Sequence, residues 1–174
     1  LMIVASISFA ISKQFERHSL DVKNLVKKGN AFTSNKDTNI LSTLDTNSVI
    51  HTDYLTLSPD ENLSKLVDLI SHSNQVVFGV IDKEKNLLGV IHFNDIREII
   101  FNPYRVKYTL IKEIMCNPKE IIYPNDSMEI VMNKFERAKT AFIPVITNGK
   151  YHGFISKAEA LEAYRTKLKS MIIE

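Results

Sequence analysis

Two carboxylates stand out by position in this chain of 174 residues. Asp95 and Glu159 each close a pattern that begins at a glycine, Gly89-Val-Ile-His92-Phe-Asn-Asp95 and Gly153-Phe-Ile-Ser156-Lys-Ala-Glu159. Each pattern runs from an apolar stretch into a helix start, where free N–H groups and the positive dipole end favour phosphate. Without any ligand, Ser156-Lys-Ala-Glu159 also reads as a capping box, and Asn94 and Asp95 as ordinary first-turn residues. No catalytic set accompanies them. His18, His51, His72, His92 and His152 are scattered without paired ligand spacing, and no G-x-x-x-x-G-K-[ST] loop occurs. Cys116 is the one cysteine, which excludes an internal disulfide framework and a Cys-based zinc site. It also lacks the basic or helix-start setting that depresses a thiol pKa. The chain is therefore not expected to be an enzyme or to require a metal or cofactor.

The elements that must position these residues form a repeat. Leu63, Leu66, Val67 and Ile70 fall at the spacing of an amphipathic helix, and Met128, Val131, Met132 and Phe135 repeat it 65 positions later. Pro59 matches Pro124 at the same offset, and Ser58, Pro59 and Glu61 read as N-cap, first helical residue and capping-box arm. After each helix comes an apolar β-branched run, Val76–Ile81 and Ala141–Ile146, then a turn, Asp82–Asn86 and Asn148-Gly149. Returning strands at Leu87–Ile91 and Tyr151–Ile155 follow, closed by helices near Asn94–Phe101 and Lys157–Leu168. Leading strands are expected at Tyr54–Leu57 and Glu120–Tyr123. The predicted fold class is α+β, two strand-helix-strand-strand-helix units behind an N-terminal helical segment. One unit of about 55 residues is marginal alone, so the two are expected to pack as a pseudo-twofold pair.

The net charge of +2 excludes a general polyanion or nucleic-acid binder. It hides a split, because Lys13–Lys36 holds six basic and two acidic residues while the remainder carries 16 basic and 18 acidic. Ahead of it, residues 1–11 are apolar except for two serines. A helix of that length reaches about 16 Å, half of a bilayer core, so it reads as a signal-peptide core, a buried helix or part of a membrane span. Lys and Arg placed directly after it suit the cytoplasmic end of a truncated span.

The doubled Gly-x-x-[His/Ser]-x-x-[Asp/Glu] motif resembles a tandem pair of CBS domains, the Bateman module, over about Val49–Arg165. The lead segment with Ser12–Leu20 resembles the end of the last membrane helix of CLC-type chloride channels and transporters, and Asn94-Asp95-Ile96-Arg97, Phe101-Asn-Pro103 and Gly153–Lys157 resemble their cytoplasmic tails. Boundaries on that reading are 1–47 for the last membrane helix and basic linker, 48–107 for the first CBS unit and 108–174 for the second. The resemblance implies ribose hydroxyls on Asp95 and Glu159, since a carboxylate accepts from both hydroxyls. Ser156 and His92 would add a contact, and the adenine would lie against Val76, Val77, Phe78, Ala141, Phe142, Ile143 and Thr56, with Ile121 and Ile122 as weaker candidates.

The function so implied is a regulatory CBS pair at the cytoplasmic face of the cell membrane, sensing ATP, ADP or AMP and modulating chloride transport. Its expected partners are the transmembrane domain of the same polypeptide, a second copy in a homodimer, and anionic lipid near Lys13–Lys36. The alternatives are a soluble CBS nucleotide sensor, an enzyme's regulatory insert, or a dimerisation scaffold that binds no nucleotide.

Overall fold

The structure, a computed structural model, describes residues 40–173. The expected membrane-helix stub and the basic linker Lys13–Lys36, with its lipid contact, lie outside them. Both repeats lie in one compact unit, Leu44–Glu174.

The first repeat comprises β1 (Thr56–Leu57), α1 (Leu63–His72), β2 (Val77–Ile81), β3 (Leu87–His92) and α2 (Phe93–Ile96). Short helices α3 (Pro103–Tyr108) and α4 (Ile111–Ile114) lead to α5 (Met128–Ala138), β4 (Phe142–Thr147), β5 (Lys150–Ser156) and α6 (Lys157–Ile173). In the first sheet β1 runs parallel to β2, which pairs antiparallel with β3. In the second, β4 and β5 pair antiparallel. Asn148 and Gly149 both take left-handed backbone angles (φ 52° and 78°), the conformation a tight hairpin between right-twisted strands requires. Both expected strand-helix-strand-strand-helix units are therefore present.

Local differences have identifiable causes. Ser58 N–H does donate to Glu61 Oε2 (2.7 Å), but Pro59 and Asp60 form a turn and the helix starts only at Leu63. Asn62 is held extended (φ −96°, ψ 164°) because Ile111 N–H donates to the Glu61 carbonyl and Leu63 N–H to the Thr109 carbonyl, both at 2.9 Å. The expected strand Glu120–Tyr123 shrinks to one parallel bridge between Ile122 and Val145. Lys134 Nζ takes the Ile121 carbonyl (2.7 Å) and the Asp126 carboxylate takes Tyr123 N–H (2.9 Å), so side chains replace the sheet there. The helix expected over Asn94–Phe101 ends at Ile96, and Asn102 caps the next one by accepting from Tyr104 and Arg105 N–H (3.1 Å each).

The repeats are joined by reciprocal crossing. Residue His51, ahead of the first repeat, pairs through both backbone groups with Phe154 on β5 of the second (3.0 Å each). Cys116, ahead of the second repeat, pairs in the same way with Val90 on β3 of the first (2.9 and 2.8 Å). This explains the repeated glycines. A Cβ on Gly153 would stand 2.0 Å from the His51 carbonyl oxygen, and one on Gly89 3.0 Å from that of Cys116. The motif glycine makes room for the crossing strand.

Leu57, Leu63, Leu66, Phe78, Val80, Ile91, Ile96 and Ile111 form the core of the first repeat. The equivalent Ile122, Met128, Val131, Ile143 and Val145 of the second are fully buried too. A third cluster, Val77, Val90 and Phe154 with Tyr54, Phe142 and Tyr151 against it, draws on both repeats. Burying that seam removes apolar area that either repeat alone would leave in water, at about 25 cal/mol per Å².

Candidate functional site

The crossing creates two clefts related by the repeat. The first has a volume of about 560 Å³, within the range of small-molecule sites. Val76, Val90, His92 and Asp95 come to it from the first repeat, Ala141, Phe142 and Pro144 from the second. The segment Cys116–Glu120 and the pair Lys139-Thr140 complete its wall.

Asp95 sits in the first turn of α2, exposed, and its side chain makes no hydrogen bond or ion pair among the described residues. His92 holds the N-cap position in extended conformation (φ −100°, ψ 138°) without a side-chain cap bond. Burial pulls the imidazole pKa below its usual value, outweighing the pull of Asp95 in the other direction, and Lys119 lowers it further. His92 is thus neutral at pH 7, with one donor and one acceptor nitrogen. Because the unfolded chain binds that proton more readily, this contribution to stability is complete above the unfolded value of 6.5 and lost as pH falls through the lower folded one. Urea melts at pH 7.5 and 5.5 should therefore show a smaller drop for His92→Gln than for the parent chain; equal drops would contradict it.

Two cations flank the same cleft. Lys119 and Lys139 side chains are exposed and free of hydrogen bonds and ion pairs among the described residues, whereas Glu120 is paired with Arg137 (3.1 Å). Lys139 ends α5 in the left-handed conformation (φ 52°), its N–H donating to the Phe135 carbonyl at 3.0 Å. Glycine or asparagine is the usual occupant of that position, and a lysine costs about 1 kcal/mol there. Cys116 also lines the cleft, its Sγ donating to the Val90 carbonyl (3.3 Å), and burial raises its pKa. The cleft therefore offers an unpaired carboxylate, a neutral imidazole, two ammonium groups and an apolar wall, the groups that a phosphorylated polyol bearing a flat apolar ring would need.

The second cleft, about 300 Å³, is lined by His51, Asp53, Tyr54, Ser73, Asn74, Gln75 and Glu159. Glu159 Oε1 lies 3.0 Å from His51 Nε2, and its Oε2 is buried without a hydrogen-bond partner. The carboxylate thus turns to the crossing segment rather than back to Ser156, whose side chain is itself buried. Gln75 ties down the strand edge through Leu55 N–H and C=O (2.9 Å each) and the Val77 carbonyl (2.7 Å). Tyr54 has its pKa raised by burial and then by the charges of Glu159 and Asp53.

Of the sequence-predicted residues, the structure gathers Val76, His92, Asp95, Ala141 and Phe142 around the first cleft and places Glu159 in the second. Val77, Phe78 and Ile143 are fully buried in the core, as is Ile122, and Thr56 pairs with Gly79 in the sheet. Lys119, Lys139 and Thr140 escaped the sequence reading. Aligning Asn74 with Lys139 at the 65-residue offset would have found the second of these, as a lysine where helix termination favours asparagine.

Comparison with known proteins defines the family. The family model described as "CBS domain" matches residues 47–102 and 111–166. The inosine-5'-monophosphate dehydrogenase of Methanocaldococcus jannaschii is 27% identical over 90 residues, 51% of this chain, and the chain spans 18% of that relative. The CBS domain of a bacterial CNNM/CorC-family Mg2+ transporter in complex with ATP superposes with a TM-score of 0.66 at 14% identity. It covers 74% of this chain and 92% of its own. CbpB in complex with c-di-AMP gives 0.63 at 19% identity, covering 79% and 95%. At these identities the likeness is one of fold.

These findings correct the chloride-transport reading, including its membrane location and its transmembrane-domain partner. Asn94–Arg97, Phe101–Pro103 and Gly153–Lys157, quoted for the channel tails, lie within or at the edge of the CBS matches. They do generic work there, since Gly153 admits the His51 carbonyl and Asn102 caps α3. The same fold occurs in a magnesium transporter, in CbpB and in a CBS-domain protein from Streptococcus pneumoniae, so it carries no chloride specificity. Among the described residues no helix is long and apolar enough to cross a membrane. With two consecutive matches covering most of its length, one on each structural repeat, the chain belongs to the CBS-domain family, as a tandem pair of these modules.

Proposed function

We propose that this CBS pair senses an adenine nucleotide in the cleft lined by Asp95 and Lys139 and regulates the domain or protein attached to it. Asp95 accepts from both ribose hydroxyls, and the base slides between Val76 and the Ala141-Phe142 edge. His92 donates one hydrogen bond, while Lys119 and Lys139 meet the phosphates. The observation that carries this reading is the set of unpaired groups, one carboxylate and two lysines, converging on a single apolar-walled cleft. The ATP and c-di-AMP found on similar folds add support from nucleotide chemistry. Regulation requires that the nucleotide bind one packing of the two repeats more tightly than another. The crossing segment Cys116–Glu120 is suited to report this, since it lines the cleft and pairs with β3. The match to part of a dehydrogenase favours an enzyme as one class of regulated partner.

Thermal unfolding with ATP, ADP and AMP tests the reading. Nucleotide at ten times its Kd should add about 1.4 kcal/mol of stability. No shift with any of the three at millimolar concentration would remove the proposal.

A further inference from the structure

We propose that one chain takes one nucleotide, in the cleft lined by Asp95, and that the second cleft serves instead to fasten the entry segment to α6. This rests on the function proposed above and adds which of the two repeat-related clefts performs it.

Position-by-position comparison separates them. Lys139 in the first cleft corresponds to Asn74 in the second, and Lys119 to Tyr54, so the second cleft has neither lysine. Asp53 replaces Pro118, adding a carboxylate at that position, while Glu120, which also lines the first cleft, is neutralised by Arg137. A polyphosphate entering the second cleft would face Asp53 and Glu159 with only His51 opposite. Like charges disfavour entry; the same two carboxylates add to the effect of burial in raising the Tyr54 pKa.

The ribose-binding position is engaged as well. Asp95 is free of partners among the described residues, whereas Glu159 holds His51 at 3.0 Å. A ribose would have to displace that imidazole, and His51 is anchored by its backbone to Phe154 at 3.0 Å in both directions. The third difference is at the mouth. Among the described residues Thr140 in the first cleft bonds only within its own strand region, to Phe142, while the equivalent Gln75 spans from β2 to the strand edge at Leu55. The acid common to both motifs therefore does two jobs, a ligand acceptor in one copy and a fastener in the other.

Isothermal titration of the chain with ATP should give a stoichiometry near one per chain. Lys139→Asn keeps a residue suited to the left-handed backbone and should weaken binding about tenfold by removing a phosphate contact. Asn74→Trp, which fills the second cleft, should leave the stoichiometry unchanged near one and the Kd within twofold of the parent. A parent stoichiometry near two, or a loss of affinity or sites in Asn74→Trp, would overturn the one-cleft assignment while leaving nucleotide sensing intact. No binding by the folded parent chain would overturn both.

Discussion

Gly153→Ala is expected to lower the stability of the fold by about 3 kcal/mol, the upper range for overpacking a close-packed site. The new methyl would stand 2.0 Å from the His51 carbonyl oxygen and 2.9 Å from its carbon, and neither can yield as a side-chain tip would. Relief requires separating His51 from Phe154, which breaks two backbone hydrogen bonds and opens the seam between the repeats. At this chain length the melting temperature should fall by about 10 °C. Gly149→Ala is the control. Its φ of 78° makes alanine strained, but nothing lies within 4 Å of the added carbon, so a loss of about 1 kcal/mol is expected. Urea unfolding of the two variants beside the parent measures the difference. Equal losses would mean that the crossing strand does not dictate the glycine.

Asp95→Ala is expected to weaken nucleotide binding about a hundredfold while leaving the unfolding midpoint without ligand within about 0.5 kcal/mol. Two hydrogen bonds to a charged acceptor are lost, each worth about 1.5 kcal/mol. The fold is spared because the side chain is exposed and bonds to nothing among the described residues. Asp95→Asn should fall between the two, since its amide oxygen still accepts. Titration of ATP by calorimetry separates the affinity effect from folding, and a change in Kd below threefold would remove Asp95 from the site.

What could be read from the sequence was local. The stripe Leu63-Leu66-Val67-Ile70 and its copy carried α1 and α5, because a 3.6-residue period is written directly into side-chain order. Asn148-Gly149 carried the second hairpin because few other pairs tolerate two left-handed residues. The motif glycines were recognised as a pattern, but their cause was not, since the partner carbonyls of His51 and Cys116 come from the segment that leads into the opposite repeat. Such crossings leave no periodicity or propensity. The leading strand at Ile121-Ile122 failed for a related reason, its hydrogen bonds being taken by the distant Lys134 and Asp126 side chains.

The same non-locality explains the site. Asp95 and Glu159 look alike in sequence, and their difference comes from what faces them, Lys119 and Lys139 across one cleft and His51 across the other. The channel-like features misled because short capping and glycine motifs serve any fold that needs the same turn. Family resemblance at that scale reports backbone geometry before it reports function.

The most direct test uses Cys116, the one cysteine in the chain, which lies exposed in the first cleft and is absent from the second. Its raised pKa keeps the thiol slow but labelable at mildly alkaline pH. Alkylation of Cys116 by a maleimide, followed by mass spectrometry with and without ATP, reads occupancy of that cleft alone. ATP at saturating concentration is expected to slow labelling at least fivefold, and Asp95→Ala to abolish the protection at the same concentration. An unchanged labelling rate at ATP concentrations that stabilise the fold would place the nucleotide elsewhere and contradict the assignment of this cleft.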